Sequence, residues 1–199
     1  MEIEKGGGRP SNARGYRLAD GTRVPSVTTI LGRWKESGPL IHWAWGEGAA
    51  GRELYAKRDE ACDIGSVVHD AVEAHVHGGD GEALIVAAQL DDNGKTNARC
   101  AYEAYLQWEQ ACRVEYRATE VPLVSERYRF AGTLDCIARV GGDDEVVLDW
   151  KSAKNLYQEN LLQVAGYALL WEESRGRKID VAHICRFSKT SGAFEHRRL

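Results

Sequence analysis

Two aspartates and a lysine in the second half of the chain have the types and spacing of a hydrolytic metal site. Asp135 lies inside an apolar run at 132–140, and Asp149 follows fourteen residues later inside a second run at 145–150. A Gly-Gly-Asp-Asp turn joins the runs, so two neighbouring strands bring both carboxylates to one place on a sheet. Lys151, two residues past Asp149, projects from the same face. Two carboxylates suit Mg²⁺ or Mn²⁺, and a lysine beside them can orient an attacking water and offset charge on phosphorus.

Three further features accompany these residues. Gln163 and Tyr167 are four residues apart in a segment with helical periodicity, which puts them on one helix face. Glu120 lies on an alternating segment that precedes the first aspartate strand. An Ile-Gly-Ser-Val-Val-His segment that ends at His69 lies upstream in a predicted helix.

Taken in order, these motifs resemble the PD-(D/E)xK nuclease superfamily, and specifically its RecB-like exonuclease branch. The motifs are the upstream glycine–histidine segment, Gly132-x-x-Asp, Asp-x-Lys151 and Gln-x-x-x-Tyr167. The Val-Pro-Ser-Val-Thr-Thr-Ile-Leu segment and the tryptophan-rich stretch after it are similar to phage-encoded exonucleases and to the mitochondrial genome-maintenance exonuclease. The resemblance extends over residues 15–199.

The resemblance implies a ligand set for one or two Mg²⁺ or Mn²⁺ ions. Asp135 and Asp149 would bind the catalytic cation, and the main-chain carbonyl of Trp150 would complete its shell. His69 would contact a second cation, a feature of exonucleolytic members. Lys151 would position the attacking water and stabilise the transition state.

The remaining site residues have supporting roles in this comparison. Gln163 and Tyr167 would orient the lysine or bind the scissile phosphate. Glu120 is a possible secondary acid, because relatives often carry a carboxylate on this strand. Some relatives hold an iron–sulfur cluster through one upstream and three downstream cysteines, whereas Cys185 alone follows the lysine here, so no cluster is expected.

The charge pattern is uneven although the net charge is only −4. Residues 1–58 carry ten basic and six acidic side chains, residues 59–150 carry seven and nineteen, and residues 151–199 carry nine and five. Basic ends around an acidic middle fit a nuclease whose carboxylates hold cations while its flanks meet phosphate, although a solvated surface would show the same pattern. Four residues in the basic flanks are predicted to contact DNA, with core packing as the alternative for the tryptophans: Trp43, Trp45, Arg52 and Lys154.

Composition excludes several other classes of protein. The chain has 43% hydrophobic and 28% charged residues, which excludes a disordered or collagen-like chain. It has no long apolar run that could span a membrane. Five widely spaced cysteines without a Cys-x-x-Cys pair favour a reducing compartment, so we expect a cytoplasmic protein. The resemblance to phage-encoded exonucleases implies the cytoplasm of a bacterial or phage-infected cell.

The order of elements predicts an α/β protein with a restriction-endonuclease-like core, a central mixed sheet flanked by helices. Residues 1–14 are expected to form a flexible leader, and 15–199 a single nuclease domain. Within it, 15–112 would form a mainly helical cap or arch and 113–199 the catalytic sheet. The predicted helices are one that opens at Ser26 and is broken at Gly38-Pro39, a stretch at 40–62 interrupted by its glycines, and helices at 64–76, 94–112 and 160–174. A hairpin is predicted at 16–24, and strands at 117–123, 126–131, 132–140, 145–150 and 182–187.

The sequence is consistent with three functions. The first is a metal-dependent DNA exonuclease that starts from a free, single-stranded end and acts in recombination, repair or replication, with proteins of those pathways as possible partners. The second is a structure-specific or flap endonuclease of the same fold. The third is a non-catalytic nucleic-acid-binding module, which the complete set of aspartates and lysine disfavours.

Overall fold

The computed structural model describes residues 4–5, 15–34, 42, 45–46, 48–51, 54–153, 155–187 and 194–199. For residues 4–5 and 54–63 it describes the backbone alone. Within these residues the chain forms eight strands, and it forms five helices that are each at least four residues long. In chain order they are β1 (Glu4–Lys5), β2 (Tyr16–Arg17), β3 (Arg23–Val24), α1 (Val27–Trp34), α2 (Leu54–Val76), α3 (Gly81–Ala87), α4 (Asp92–Cys112), β4 (Glu115–Ser125), β5 (Phe130–Val140), β6 (Asp143–Ser152), α5 (Gln158–Arg175), β7 (Ala182–Phe187) and β8 (Phe194–Arg198).

A six-stranded mixed sheet runs through the centre of the described structure, in the order β1-β4-β5-β6-β7-β8. The strands β4, β5 and β6 form an antiparallel meander, and β7 pairs parallel with β6. The helix α5 connects β6 to β7, as a parallel connection requires. The described structure is therefore α/β with helices on both sides of a mixed sheet, as the sequence predicted.

The apolar residues of the sheet face two separate helical layers. On one side, α2, α3 and α4 pack on the sheet around the buried Val72, Tyr105 and Leu148. On the other side, α1 and α5 pack around Val164 and Ile184. The helices of the region predicted as a cap, residues 54–112, thus form one layer of the core.

Short local signals fix the ends of these helices. Ser26 caps α1, because its Oγ accepts a hydrogen bond from the Thr29 backbone nitrogen at 3.1 Å. Asp80 and Asp91 cap α3 and α4 in the same way. Gly176 ends α5 with a φ of +64°, the left-handed conformation that glycine adopts without a Cβ clash. The predicted hairpin also forms, since Tyr16 pairs with Val24.

One predicted element is wrong and others were missed. Residues 126–131 were expected to form a separate strand, but 126–129 form a turn and Phe130 already begins β5. The carboxylate of Glu173 on α5 holds this turn by accepting hydrogen bonds from Ser125 Oγ and from the Arg127 backbone nitrogen. The helix predicted at 64–76 is the second half of the longer α2, and α3, β1 and β8 were not predicted.

The last strand is fixed to the sheet by polar contacts as well as by its backbone. Arg198 donates two hydrogen bonds to the carboxylate of Asp143, and His196 hydrogen bonds to the buried His183 at 2.7 Å. Asp143 consequently has its pKa lowered to about 2 by the Arg198 guanidinium, despite a small opposing effect of burial. Among the described helices, none combines the length and apolar character that crossing a membrane requires.

Gly81 tests the packing of the three-helix layer. A Cβ at this position would lie 2.5 Å from the Ala71 carbonyl oxygen and 2.5 Å from the Tyr102 hydroxyl oxygen. We expect Gly81→Ala to lower the free energy of unfolding by about 1–3 kcal/mol in urea denaturation, because the backbone of α2 must shift. Gly142→Ala is the matched control, since a Cβ there would have no described atom within 4 Å. Equal stabilities of the two variants would contradict this account of the layer.

Candidate active site

The central feature of the site is a fork between two strands. Pairing between β5 and β6 ends at Cys136 and Leu148, and Asp135 and Asp149 are the next residue on each strand. The strand β5 instead remains paired with β4 as far as Phe130. The two carboxylates therefore lie where the strands separate. The Oδ2 of Asp135 accepts a hydrogen bond of 3.2 Å from the Trp150 backbone nitrogen, which links the two arms of the fork.

Asp149 is the most deeply buried charged group of the site. It has no solvent exposure, and Oδ2 lies 2.5 Å from the Lys151 ammonium nitrogen. Burial raises the pKa of Asp149 to about 7; the Lys151 ammonium opposes this rise, and the neighbouring Asp135 carboxyl adds to it. Two carboxyl groups and one ammonium thus share a volume from which water is largely excluded.

These residues fit a divalent cation. Apart from the Lys151 ammonium and the neighbouring Asp135 carboxyl, no side chain among the described residues hydrogen bonds to the carboxylate oxygens of Asp149. Buried carboxylate oxygens without donors are costly unless a cation compensates them. The described residues contain no cluster of three or more His, Cys, Asp or Glu side chains around a common point. Two carboxylates without further protein side-chain ligands are typical of Mg²⁺ sites. Mg²⁺ usually keeps coordination positions for water and substrate phosphate.

His69 reaches the same fork from the helical layer. Its Nε2 lies 3.0 Å from the Trp150 carbonyl oxygen, and because a carbonyl only accepts, the imidazole donates. The motif histidine and the carbonyl that the resemblance assigns to the cation shell are therefore in direct contact. A role for His69 as a ligand stays a prediction; with Nε2 donating to the carbonyl, the neutral imidazole would have Nδ1 available for a metal ion.

Gln163 and Tyr167 form a hydrogen-bonded pair on α5. The amide nitrogen of Gln163 donates a hydrogen bond of 2.7 Å to the Tyr167 hydroxyl oxygen, one turn further along α5. Tyr167 is only 2% exposed, and its ring lies against the start of β5. A Cβ at Gly132 would come within 2.7 Å of the ring atom Cε1, so the glycine of the Gly-x-x-Asp motif makes room for the tyrosine.

Glu120 lies opposite Asp135 in the sheet. Its neighbours Thr119 and Val121 pair with Cys136 and Leu134, which sets Glu120 against Asp135 in the register. Its φ of +48° is unusual for a residue with a side chain, and such backbone strain is concentrated at functional sites. The strand therefore bends at the level of the fork.

The predicted DNA-contacting residues are described only in part. Trp45 is 70% exposed and stacks on His42 with ring centroids 6.2 Å apart. Trp43, Arg52 and Lys154 lie outside the described residues. Two histidines at the end of α2 have side-chain partners: His75 contacts Glu109, and His77 contacts Thr119.

Comparison with protein families finds a match over the segment that contains the fork residues. The family model of the PD-(D/E)XK nuclease superfamily matches residues 40–194, which include both aspartates, Lys151 and the Gln163–Tyr167 pair. The chain belongs to this superfamily. It is therefore a nuclease domain, a hydrolase that acts on nucleic acid, of a superfamily that generally uses Mg²⁺ or Mn²⁺. No curated protein shows a significant match to it.

The superfamily motifs did not indicate how the N-terminal hairpin relates to the site. The Tyr16 hydroxyl hydrogen bonds to the Thr133 hydroxyl at 2.7 Å, and the Ala131 backbone nitrogen donates to the Pro25 carbonyl at 2.9 Å. The hairpin therefore adjoins the strand that carries Asp135. The Val-Pro-Ser segment was the available signal, since it was already part of the resemblance, but its position beside β5 depends on the tertiary fold.

The raised pKa of Asp149 predicts a pH dependence of stability in the metal-free nuclease. Between its ordinary value of 3.8 and about 7, the native carboxyl holds a proton that the unfolded chain has released. The contribution of Asp149 to the free energy of unfolding therefore falls as pH rises through this window. We expect Asp149→Asn to lose this slope, so that the variant gains stability relative to the wild type toward pH 7.

Urea denaturation in EDTA across this window measures the difference between the two proteins. Excess Mg²⁺ above the window should then stabilise the wild type and leave Asp149→Asn unchanged, because only the carboxylate binds the cation. Identical slopes in the two proteins would show that Asp149 stays ionised in the native fork.

Proposed function

We propose that this chain is a divalent-metal-dependent DNA exonuclease of the RecB-like branch, which hydrolyses phosphodiester bonds from a free, single-stranded end. The observation that carries the proposal is the fork, where the buried Asp149 lies beside Asp135 and 2.5 Å from the Lys151 ammonium. This is a site for cation-assisted attack by water on phosphorus. The cellular setting proposed with it is DNA recombination, repair or replication in the cytoplasm of a bacterial or phage-infected cell.

The roles of the chain's residues follow from their positions. Asp135 and Asp149 would hold Mg²⁺ or Mn²⁺ together with the Trp150 carbonyl. When bound, the cation supplies Lewis-acid polarisation of a phosphate oxygen. Lys151, held at the fork by its ion pair with Asp149, donates a hydrogen bond to the attacking water and orients it toward phosphorus.

The reaction is an in-line displacement at phosphorus. The water oxygen attacks opposite the leaving oxygen, the bond from phosphorus to that oxygen breaks, and a phosphate monoester and a hydroxyl group result. Negative charge grows on the non-bridging oxygens during attack, and the Lys151 ammonium stabilises it in a site that excludes most water. The Gln163–Tyr167 pair would bind the scissile phosphate or orient the lysine, and Glu120 would act as a secondary acid at the same level of the sheet.

Lys151→Ala is the first test of the proposed activity. We expect it to lower the cleavage rate of single-stranded DNA by about 10²-fold or more, because a charge that stabilises the transition state is lost. The control is Lys178→Ala, which removes an exposed lysine that pairs with Asp180 away from the fork. Release of label from end-labelled linear DNA, with Mn²⁺ or Mg²⁺ and with EDTA, measures the rate. Unchanged activity in Lys151→Ala would rule out hydrolysis at this site.

A circular single strand of the same sequence separates exonuclease from endonuclease activity. The proposal requires metal-dependent loss of the linear strand while the circle stays intact. Cleavage of the circle would identify an endonuclease of the same fold. Binding of both strands without cleavage would identify a recognition module.

His69 gives a separate test of the exonuclease assignment. If the imidazole binds a second cation, His69→Ala should raise the Mn²⁺ concentration for half-maximal cleavage by about 10–100-fold. His69→Gln should not restore it, because glutamine can replace the hydrogen bond to the Trp150 carbonyl but is a poor ligand. Full rescue by glutamine would mean that His69 only positions that carbonyl.

A further inference from the structure

A cavity of about 750 Å³ lies between the N-terminal hairpin, the start of α1 and the start of β5. Two features distinguish it from an ordinary surface cleft. Among the described residues, its wall contains the arginines Arg23 and Arg33 and no carboxylate, although acidic residues outnumber basic ones in the chain. It is also rich in hydroxyl groups. The hydroxyl-bearing residues of its wall are Tyr16, Ser26, Thr28, Thr29, Thr133 and Tyr167.

The cavity lies close to the proposed catalytic fork along β5. Thr133, in its wall, precedes Asp135 by two residues on β5, a distance of about 7 Å along an extended strand. Tyr167, the partner of Gln163, is in the same wall. A strand bound at the fork therefore reaches the cavity with its neighbouring nucleotides.

The chemistry of the wall suits a phosphate group. Arginine donors and hydroxyl groups are the side chains that most often contact nucleic-acid backbone, and they do so without reading sequence. Ser26 already uses its Oγ to cap α1. The hairpin fixes the position of Arg23 through the pairing of Arg17 with Arg23, and the Arg23 guanidinium lies against Gly15.

We propose that this cavity binds a backbone phosphate of the DNA strand next to the phosphate that is cleaved, with Arg23 and Arg33 as its cationic contacts. The inference rests on the proposed function, since it assigns the cavity to the substrate of that same site. It adds a phosphate subsite whose cationic contacts come from the hairpin and α1, next to the residues proposed to perform hydrolysis.

The salt dependence of DNA binding tests this proposal. In EDTA the protein cannot hydrolyse the probe, so the affinity for a fluorescent single-stranded oligonucleotide can be measured by anisotropy over a range of salt concentrations. Each lost phosphate contact should reduce the slope of log K against log salt by about 0.7. We expect this reduction for Arg23→Ala and again for Arg33→Ala. Arg139→Ala is the control, because Arg139 is an exposed arginine near the opposite end of β5.

Two further measurements guard against a purely structural effect. Arg23→Lys keeps the charge and should keep the slope, whereas a variant that merely disturbs the hairpin would not be rescued in this way. Metal-activated cleavage is measured on the same proteins. If Arg23→Ala and Arg33→Ala keep the wild-type slope of log K against log salt, and the wild-type protein cleaves DNA, the phosphate site is overturned. The proposed function is then unaffected. A wild-type protein that neither binds nor cleaves DNA would overturn both.

Discussion

Two carboxyl groups held side by side at a buried fork form the electrostatic constraint on which the site depends. Asp149 has no contact with solvent, and Asp135 approaches it from the neighbouring strand. Lys151 supplies one positive charge beside the two carboxyl groups, and burial, with a further contribution from the nearby Asp135 carboxyl, raises the pKa of Asp149 to about 7. A divalent cation bound between the two carboxyl groups would compensate their charge while Asp149 stays ionised. The burial that destabilises the metal-free site would therefore favour the binding of a divalent cation there.

Different elements of the fold contribute the residues that surround the fork. The strands β5 and β6 provide the acids because their pairing stops one residue before them. The helix α5, which makes the parallel connection to β7, carries the Gln163–Tyr167 pair on one face of the sheet. The helix α2 brings His69 to the Trp150 carbonyl from the three-helix layer. Residues as far apart in the sequence as His69 and Trp150, 81 positions, thus meet where two strands diverge.

Local patterns predicted the parts of this arrangement that depend on neighbouring residues. The hairpin, the cap at Ser26, the strand β7 and the placement of Asp135 against Asp149 all follow from turn chemistry and alternation. The strand β8 was missed because Phe-Glu-His-Arg-Arg has little apolar alternation; polar contacts to Asp143 and His183 fix it instead. The turn at 126–129 was misread as a strand because a side chain of α5, Glu173, stabilises it from a distance. The bend at Glu120 and the contact of His69 with a backbone carbonyl likewise depend on tertiary structure.

The strand β5 also couples catalysis to the proposed phosphate site. Within five residues its backbone bonds to the segment before α1 at Ala131, its hydroxyl at Thr133 bonds to the hairpin, and its carboxylate at Asp135 enters the fork. Gly132 lies between the first two contacts, and the Tyr167 ring fills the space that a side chain would take. A displacement of the hairpin by a bound strand would therefore reach Asp135 through one short length of extended backbone. Because closely packed interiors transmit small shifts, a neighbouring phosphate seated in the proposed subsite would act on the same length of backbone that positions Asp135.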